Sequence, residues 1–195
     1  MNFELFHTDD IRVEYCDGTR RGIQRVLDAC REERRPYVII KNECSAQQSC
    51  CSEGQEGLSR ILVPISMLEE EVYKAEICTY LARKTGAHLI LLRARDYGSK
   101  AKQNTQRIIT HIQTIAERTG EEISYEEQVA KRDSFSFHKD FHFEGWQHDL
   151  LLLTASREYG LDDWLFGPPE LYAIRHSQVP VMLVNPRADL FSLCD

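Results

Sequence analysis

From residue 60 onward the sequence alternates short apolar runs with amphipathic segments, and this alternation constrains the fold more than any other feature. Continuously apolar runs are typical of strands that are buried on both faces, as in a parallel sheet covered by helices. The sequence therefore predicts a doubly wound α/β domain with a parallel sheet. Its predicted strands are 61–65, 88–92, 150–153 and 181–184, with a more polar edge strand over 121–130.

Helices are predicted between these strands, where apolar residues recur every three or four positions. The clearest one covers residues 100–119, and Gly120 follows it as a stop signal. Two others are predicted near 69–84 and over 168–176, the latter opening with two prolines. Strands joined by helices of this length are connected as parallel neighbours.

Residues 1–43 are predicted to form a separate β-α-β unit, which is too small to be stable alone. Its second apolar run opens with Pro36, and the last run of the chain opens with Pro180 in a similar pattern. The unit is therefore interpreted as the remnant of a preceding domain, with chance similarity as the alternative. The predicted organisation is a unit over 1–43, a linker over 44–58, a main domain over 59–187 and a tail over 188–195.

The overall charge and the hydropathy pattern exclude some classes of function. A net charge of −7 disfavours binding to a nucleic-acid backbone. No apolar run approaches the roughly 18 residues that would cross a membrane. The acidic N-terminus has no apolar signal core, so a cytoplasmic location is expected, without nucleic-acid or membrane partners.

Three segments of the main domain resemble the universal stress proteins. Residues 60–65 resemble the first strand of that family, and 148–153 resemble its fourth strand, with Asp149 before the apolar run. Residues 165–167 together with 179–184 resemble its closing segment. The resemblance covers residue 60 to about 186, which is roughly two-thirds of the chain.

This resemblance implies a Rossmann-like fold of the adenine nucleotide alpha hydrolase type, with strand order 3-2-1-4-5 and the last strand at an edge. It also implies a homodimer, since members of the family commonly pair through that final strand. An apolar edge left bare would be an aggregation risk, which is compatible with such pairing. The strand concerned contains Val181, Met182, Leu183 and Val184.

In the ATP-binding branch of the family, an acidic residue follows the first strand and a G-x-x-G-x9-G-[ST] loop follows the fourth. Here the acidic position is Ser66, and the glycine positions fall on Thr154, Arg157 and Gly167, of which only the last is a glycine. Side chains at the first two positions block a close approach of backbone N–H groups to phosphate. Pro168 replaces the final Ser or Thr and has neither an N–H nor a hydroxyl. The resemblance therefore implies a degenerate, non-catalytic, regulatory or interaction protein of the stress response that binds no ATP cofactor.

A second function remains open for the same crevice. Ser66, Thr154, Ser156 and Arg157 are expected to converge there, and an arginine can hold a phosphate or a carboxylate in a bidentate manner. The alternative is thus a module that binds an adenine nucleotide, such as ATP or AMP, or another anion. An unknown regulatory partner is expected under the first hypothesis.

Metal and catalytic sites find weaker support in the sequence. His138 and His142 would lie one helical turn apart, which is the spacing of a two-histidine metal site, but the glutamate of an H-E-x-x-H motif is missing. Cys44, Cys50 and Cys51 cluster in the linker without a C-x-x-C pair and are interpreted as free thiols. The chain has neither a G-x-S-x-G elbow nor a Walker loop, so no catalytic residue is assigned and no enzymatic activity is expected.

Overall fold

The computed structural model describes residues 11–31, 33, 35–41, 57–95, 99–130, 147–156 and 168–185. Strands and helices alternate along most of this part of the chain. The strands are β1 (Arg12–Cys16), β2 (Tyr37–Lys41), β3 (Arg60–Ile65), β4 (His88–Arg93), β5 (Tyr125–Val129), β6 (Leu150–Thr154) and β7 (Val181–Val184). The helices are α1 (Arg20–Arg31), a 3-10 helix (Glu69–Tyr73), α2 (Lys74–Thr85), α3 (Lys100–Thr119) and α4 (Pro169–His176).

All seven strands belong to one sheet, in the order β1-β2-β7-β6-β3-β4-β5. The five strands predicted for the main domain lie side by side in the predicted order 3-2-1-4-5, as β5-β4-β3-β6-β7. The sheet does not end at the fifth of them, because β2 pairs with β7 and β1 pairs with β2. The predicted α/β class is confirmed, but the stated strand order was incomplete.

The prediction that the last strand lies at an edge of the sheet is wrong. One edge of β7 is paired in parallel with β6, and the other is paired antiparallel with β2. Pairing of Val181, Met182, Leu183 and Val184 with a second chain needs a free edge, and this strand has none. The structure therefore does not support the predicted homodimer through β7 either.

Two apolar clusters cover the two faces of the sheet. Along β3, Ile61 and Val63 belong to the cluster that α2 and α3 cover, whereas Leu62 belongs to the cluster that α1 and α4 cover. Successive side chains of a strand point to opposite faces, so a strand in this position must be apolar at every residue. The residues of β1, α1 and β2 contribute to these same clusters rather than to a core of their own.

Differences from the predicted elements are local. Residues 121–124 precede β5 rather than forming part of it, and the segment predicted as one helix near 69–84 divides into the 3-10 helix and α2. β5 lies at an edge of the sheet, as its polarity indicated. Over the described residues, no helix is both long enough and apolar enough to cross a membrane.

Asp149 ties the start of β3 to β6. Its Oδ2 accepts hydrogen bonds from the backbone N–H groups of Ser59 and Arg60, each at 2.9 Å. The Asp149 N–H in turn donates to the carbonyl of Arg60 at 2.9 Å. The acidic residue before the fourth predicted strand therefore has a structural role, which is to align the two central strands whose carboxyl ends form the crevice.

Candidate functional site

The candidate site lies beyond the carboxyl ends of β3 and β6. These strands are neighbours, and the chain leaves β3 toward β4 on one side and β6 toward β7 on the other. A crevice forms where the order of strands reverses in this way, and it is the usual ligand site of open α/β sheets. Ser66 follows β3 directly, and Thr154 is the last residue of β6.

Glu71 of the 3-10 helix brings Ser66 and Thr154 into one polar cluster. The hydroxyl of Ser66 donates to Glu71 Oε1 at 2.6 Å, and Thr154 Oγ1 lies 3.5 Å from Glu71 Oε2. The 3-10 helix that carries Glu71 begins a few residues after β3, and its first turn is closed by a hydrogen bond from the N–H of Glu71 to the carbonyl of Leu68 at 3.2 Å. The crevice therefore contains a carboxylate that belongs to the chain itself.

Lys74 neutralises this carboxylate. Glu71 is 4% exposed and Lys74 is 1% exposed, and the two form an ion pair one helical turn apart. The ammonium group of Lys74 also donates to the carbonyl of Pro64 within β3. Burial of a carboxylate is costly unless it has a charged partner and hydrogen bonds, and this cluster supplies both.

Asn104 of α3 holds the loop after β3 in place. Its Nδ2 donates to the carbonyl oxygens of Ser66 at 3.0 Å and Leu68 at 2.8 Å. The Leu68 carbonyl also accepts the backbone N–H of Glu71, so Asn104 ties the loop after β3 to the start of the 3-10 helix. The position of Ser66 is thus set from two sides, by Asn104 at its carbonyl and by Glu71 at its hydroxyl.

Glu170 fills the corresponding position on the β6 side of the crevice. It lies in the first turn of α4, where it is buried, and its Oε1 accepts a hydrogen bond from the backbone N–H of Ser156. Negative charge is favourable at a helix N-terminus, which is also why such positions bind phosphate. Pro168 precedes α4 in an extended conformation and offers no N–H there.

Of the predicted crevice residues, the structure brings together Ser66 and Thr154 and places Ser156 against α4. Arg157 and Gly167 lie outside the described residues, as do the candidate metal ligands His138 and His142. The cysteines Cys44, Cys50 and Cys51 also lie outside the described residues. In the described ranges, no group of three or more His, Cys, Asp or Glu side chains is arranged to hold a metal ion.

Two buried cysteines in the described part of the chain are unsuited to nucleophilic chemistry. Burial raises the pKa of Cys30 to about 11 and that of Cys78 to about 12. Because the thiolate is the reactive form, these side chains remain protonated at neutral pH and act as small apolar residues of the core.

Sequence reasoning missed the residues that matter most to the chemistry of the crevice: Glu71, Lys74, Asn104 and Glu170. A signal existed for the first pair, because an acid and a lysine at i and i+3 lie in the first helical segment after a crevice-forming strand. The same spacing is common on exposed helix faces, where it has no binding role.

Comparisons with known proteins agree with this architecture. No protein-family model and no curated protein matches the sequence. A universal stress protein from Archaeoglobus fulgidus has a similar structure, with a TM-score of 0.62 and 14% identity, covering 96% of this chain and 64% of that one. A universal stress protein in complex with cAMP has a TM-score of 0.51 and 16% identity, covering 68% of this chain and 100% of that one.

The sheet order and the position of the crevice define this molecule as a doubly wound α/β protein. The two solved structures identify its architecture more closely as the universal stress protein fold. The fold that the sequence resemblance predicted is therefore confirmed. The chain spans 64% of the length of the Archaeoglobus fulgidus protein, so it corresponds to part of that longer chain.

Proposed function

We propose that this chain is a universal stress protein-like regulatory or interaction protein of the stress response, and that its crevice does not bind ATP. The observation that carries the proposal is the occupation of the crevice by two carboxylates of the chain, Glu71 and Glu170. On this proposal the protein is not an enzyme, acts in the cytoplasm and binds a regulatory partner rather than a cofactor.

Electrostatics supports the absence of ATP binding on the β3 side. A triphosphate would bring several negative charges close to the buried carboxylate of Glu71, whose charge Lys74 already neutralises. Two like charges 4 Å apart repel by about 4 kcal/mol at the effective dielectric near a protein surface. Lys74 cannot neutralise the triphosphate as well as Glu71, because its ammonium group is held between Glu71 and the Pro64 carbonyl.

Hydrogen bonding supports the same conclusion on the β6 side. The N–H of Ser156 belongs to the loop that would cradle a phosphate, and the carboxylate of Glu170 already accepts its hydrogen bond. An incoming phosphate would have to displace this carboxylate from the start of α4 and leave it buried without that bond. A displaced buried acceptor costs about 1–3 kcal/mol, and more when it is charged.

We expect no binding when ATP is titrated into the purified full-length protein in a calorimeter, with or without Mg²⁺. A ligand present at 100 times its dissociation constant would stabilise the fold by about 2.7 kcal/mol, so the melting temperature is expected to stay unchanged as well. The same titration is carried out with the variant Glu170→Gln, which keeps the shape of the side chain and removes one negative charge. A micromolar dissociation constant for the wild-type protein would contradict the proposal.

A second candidate function is a module that binds an adenine nucleotide or another anion in the altered crevice. Two observations favour it: the crevice contains the hydroxyls of Ser66 and Thr154 at the ends of β3 and β6, and a protein of the same fold was solved in complex with cAMP. A titration with a fluorescent adenine nucleotide separates the two candidates. Under the second one, Arg157→Ala weakens binding at least tenfold, whereas Arg175→Ala, at an exposed position of α4, leaves it unchanged.

A further inference from the structure

The segment β1-α1-β2 has the same architecture as β6-α4-β7. In each, two strands pair in parallel and the connecting helix covers the same face of the sheet. The first strands are also held alike, since the N–H of Arg12 donates to the Pro36 carbonyl at 3.0 Å and the N–H of Leu151 donates to the Pro180 carbonyl at 3.1 Å. These contacts place both prolines at the same point of the two segments.

The pairing between β2 and β7 has the register of a two-fold axis. Val38 lies opposite Met182, and the flanking pairs are Tyr37 with Leu183 and Ile39 with Val181. If an axis passes between Val38 and Met182, it exchanges the two flanking pairs with each other. Tyr37 then corresponds to Val181, and Ile39 corresponds to Leu183.

The ends of the two strands make reciprocal contacts across this axis. Lys41, at the end of β2, donates from Nζ to the carbonyl of Arg175 in the last turn of α4 at 2.9 Å. Asn185, directly after β7, donates from Nδ2 to the carbonyl of Glu33, just beyond α1. Each strand therefore closes the helix end of the other segment, which is the pattern of an isologous interface.

We infer that β7 and α4 form a self-complementary surface that fits a second copy of this chain, and that β1-α1-β2 closes this surface from within. Residues 181–183 of β7 are apolar at the positions that correspond to residues 37–39 of β2. The β7 strand of a second copy can therefore pair with β7 in the same register, with Met182 opposite Met182. While β2 is docked, the surface is unavailable and two copies do not associate through β7. This inference concerns association alone and does not depend on what the crevice binds.

Releasing β2 in the full-length chain tests the inference. The variant Val38→Asp places a carboxylate at a position that is 0% exposed and directly opposite Met182. Its matched control is Tyr15→Asp, which adds the same charge to the same segment at a side chain that is 51% exposed. Each is also combined with Met182→Cys, since a β7–β7 dimer would bring the two copies of position 182 together at the axis.

We expect Val38→Asp to sediment with the mass of a dimer at high concentration and to form a disulfide between two copies of position 182, identified by peptide mapping. The wild-type chain and Tyr15→Asp are expected to show neither. A folded Val38→Asp variant that remains monomeric overturns the inference. So does a disulfide between two copies of position 182 when Met182→Cys is the only change.

A second variant keeps the test decisive if Val38→Asp shows no cooperative melting. The full-length chain carrying both Val38→Cys and Met182→Cys is oxidised across a hundredfold range of protein concentration. A bond between positions 38 and 182 of one chain is expected throughout this range. Bonds between two copies of position 182 would overturn the inference.

Discussion

Replacing Lys74 by methionine is expected to lower the free energy of unfolding by about 3–5 kcal/mol, because it leaves the carboxylate of Glu71 buried without its charged partner. Methionine keeps most of the volume of the lysine side chain, so the loss reports the charge rather than a cavity. The Pro64 carbonyl also loses a hydrogen-bond donor. Urea unfolding followed by circular dichroism measures the change.

Two control variants separate the ion pair from ordinary packing. The double variant Lys74→Met with Glu71→Gln removes both charges, and we expect it to recover most of the lost stability, since buried ion pairs are often replaced at little cost. Lys102→Met, at an exposed position of α3, is expected to change stability by less than about 0.5 kcal/mol. A Lys74→Met variant as stable as the wild-type protein would show that Glu71 is neutral or solvated.

Replacing Asp149 by alanine is expected to destabilise the protein by about 2 kcal/mol. The backbone N–H groups of Ser59 and Arg60 both lose a charged acceptor, and unsatisfied donors at partly buried positions cost about 1–3 kcal/mol. Differential scanning calorimetry measures the change. Because Asp149 aligns β3 with β6, we also expect faster hydrogen exchange at the amide of Arg60.

Asparagine is the matched control at this position. Asp149→Asn retains one oxygen that can accept both hydrogen bonds at the same place but removes the charge. It is expected to cost less than half as much as the alanine variant. Equal losses for the two substitutions would mean that the charge of Asp149, rather than its hydrogen bonds, stabilises the junction.

Much of the fold was predictable from local patterns. Strands such as β3 and β6 are recognisable because burial on both faces requires an apolar residue at every position. Helix α3 was predictable from its periodicity, and Gly120 takes the left-handed conformation that ends the helix, with φ of 70°. The junction between the 3-10 helix and α2 was not predictable, since both segments share one continuous apolar stripe.

The candidate site was predictable only in outline. Topology places the residues after β3 and β6 at one crevice, and this was enough to bring Ser66 and Thr154 together. The roles of Glu71 and Glu170 depend on how the following helices fold back over the strand ends. From sequence alone, an acid in the first turn of a helix is equally consistent with an exposed residue that interacts favourably with the helix dipole. The predicted loss of ATP binding and the cytoplasmic location stay predictions.

The sequence by itself determined the class of fold, the strands and the position of the crevice, because apolar runs and helical periodicity record which faces are buried. Only the tertiary structure decided what lies beside β7. The pairing of residues 37–39 with residues 181–183 joins segments from opposite ends of the chain, and an apolar strand carries the same pattern whether its partner is another chain or its own N-terminal segment. The charges in the crevice were decided in the same way, since an ion pair between Glu71 and Lys74 is buried only once β3, β6 and α3 enclose it.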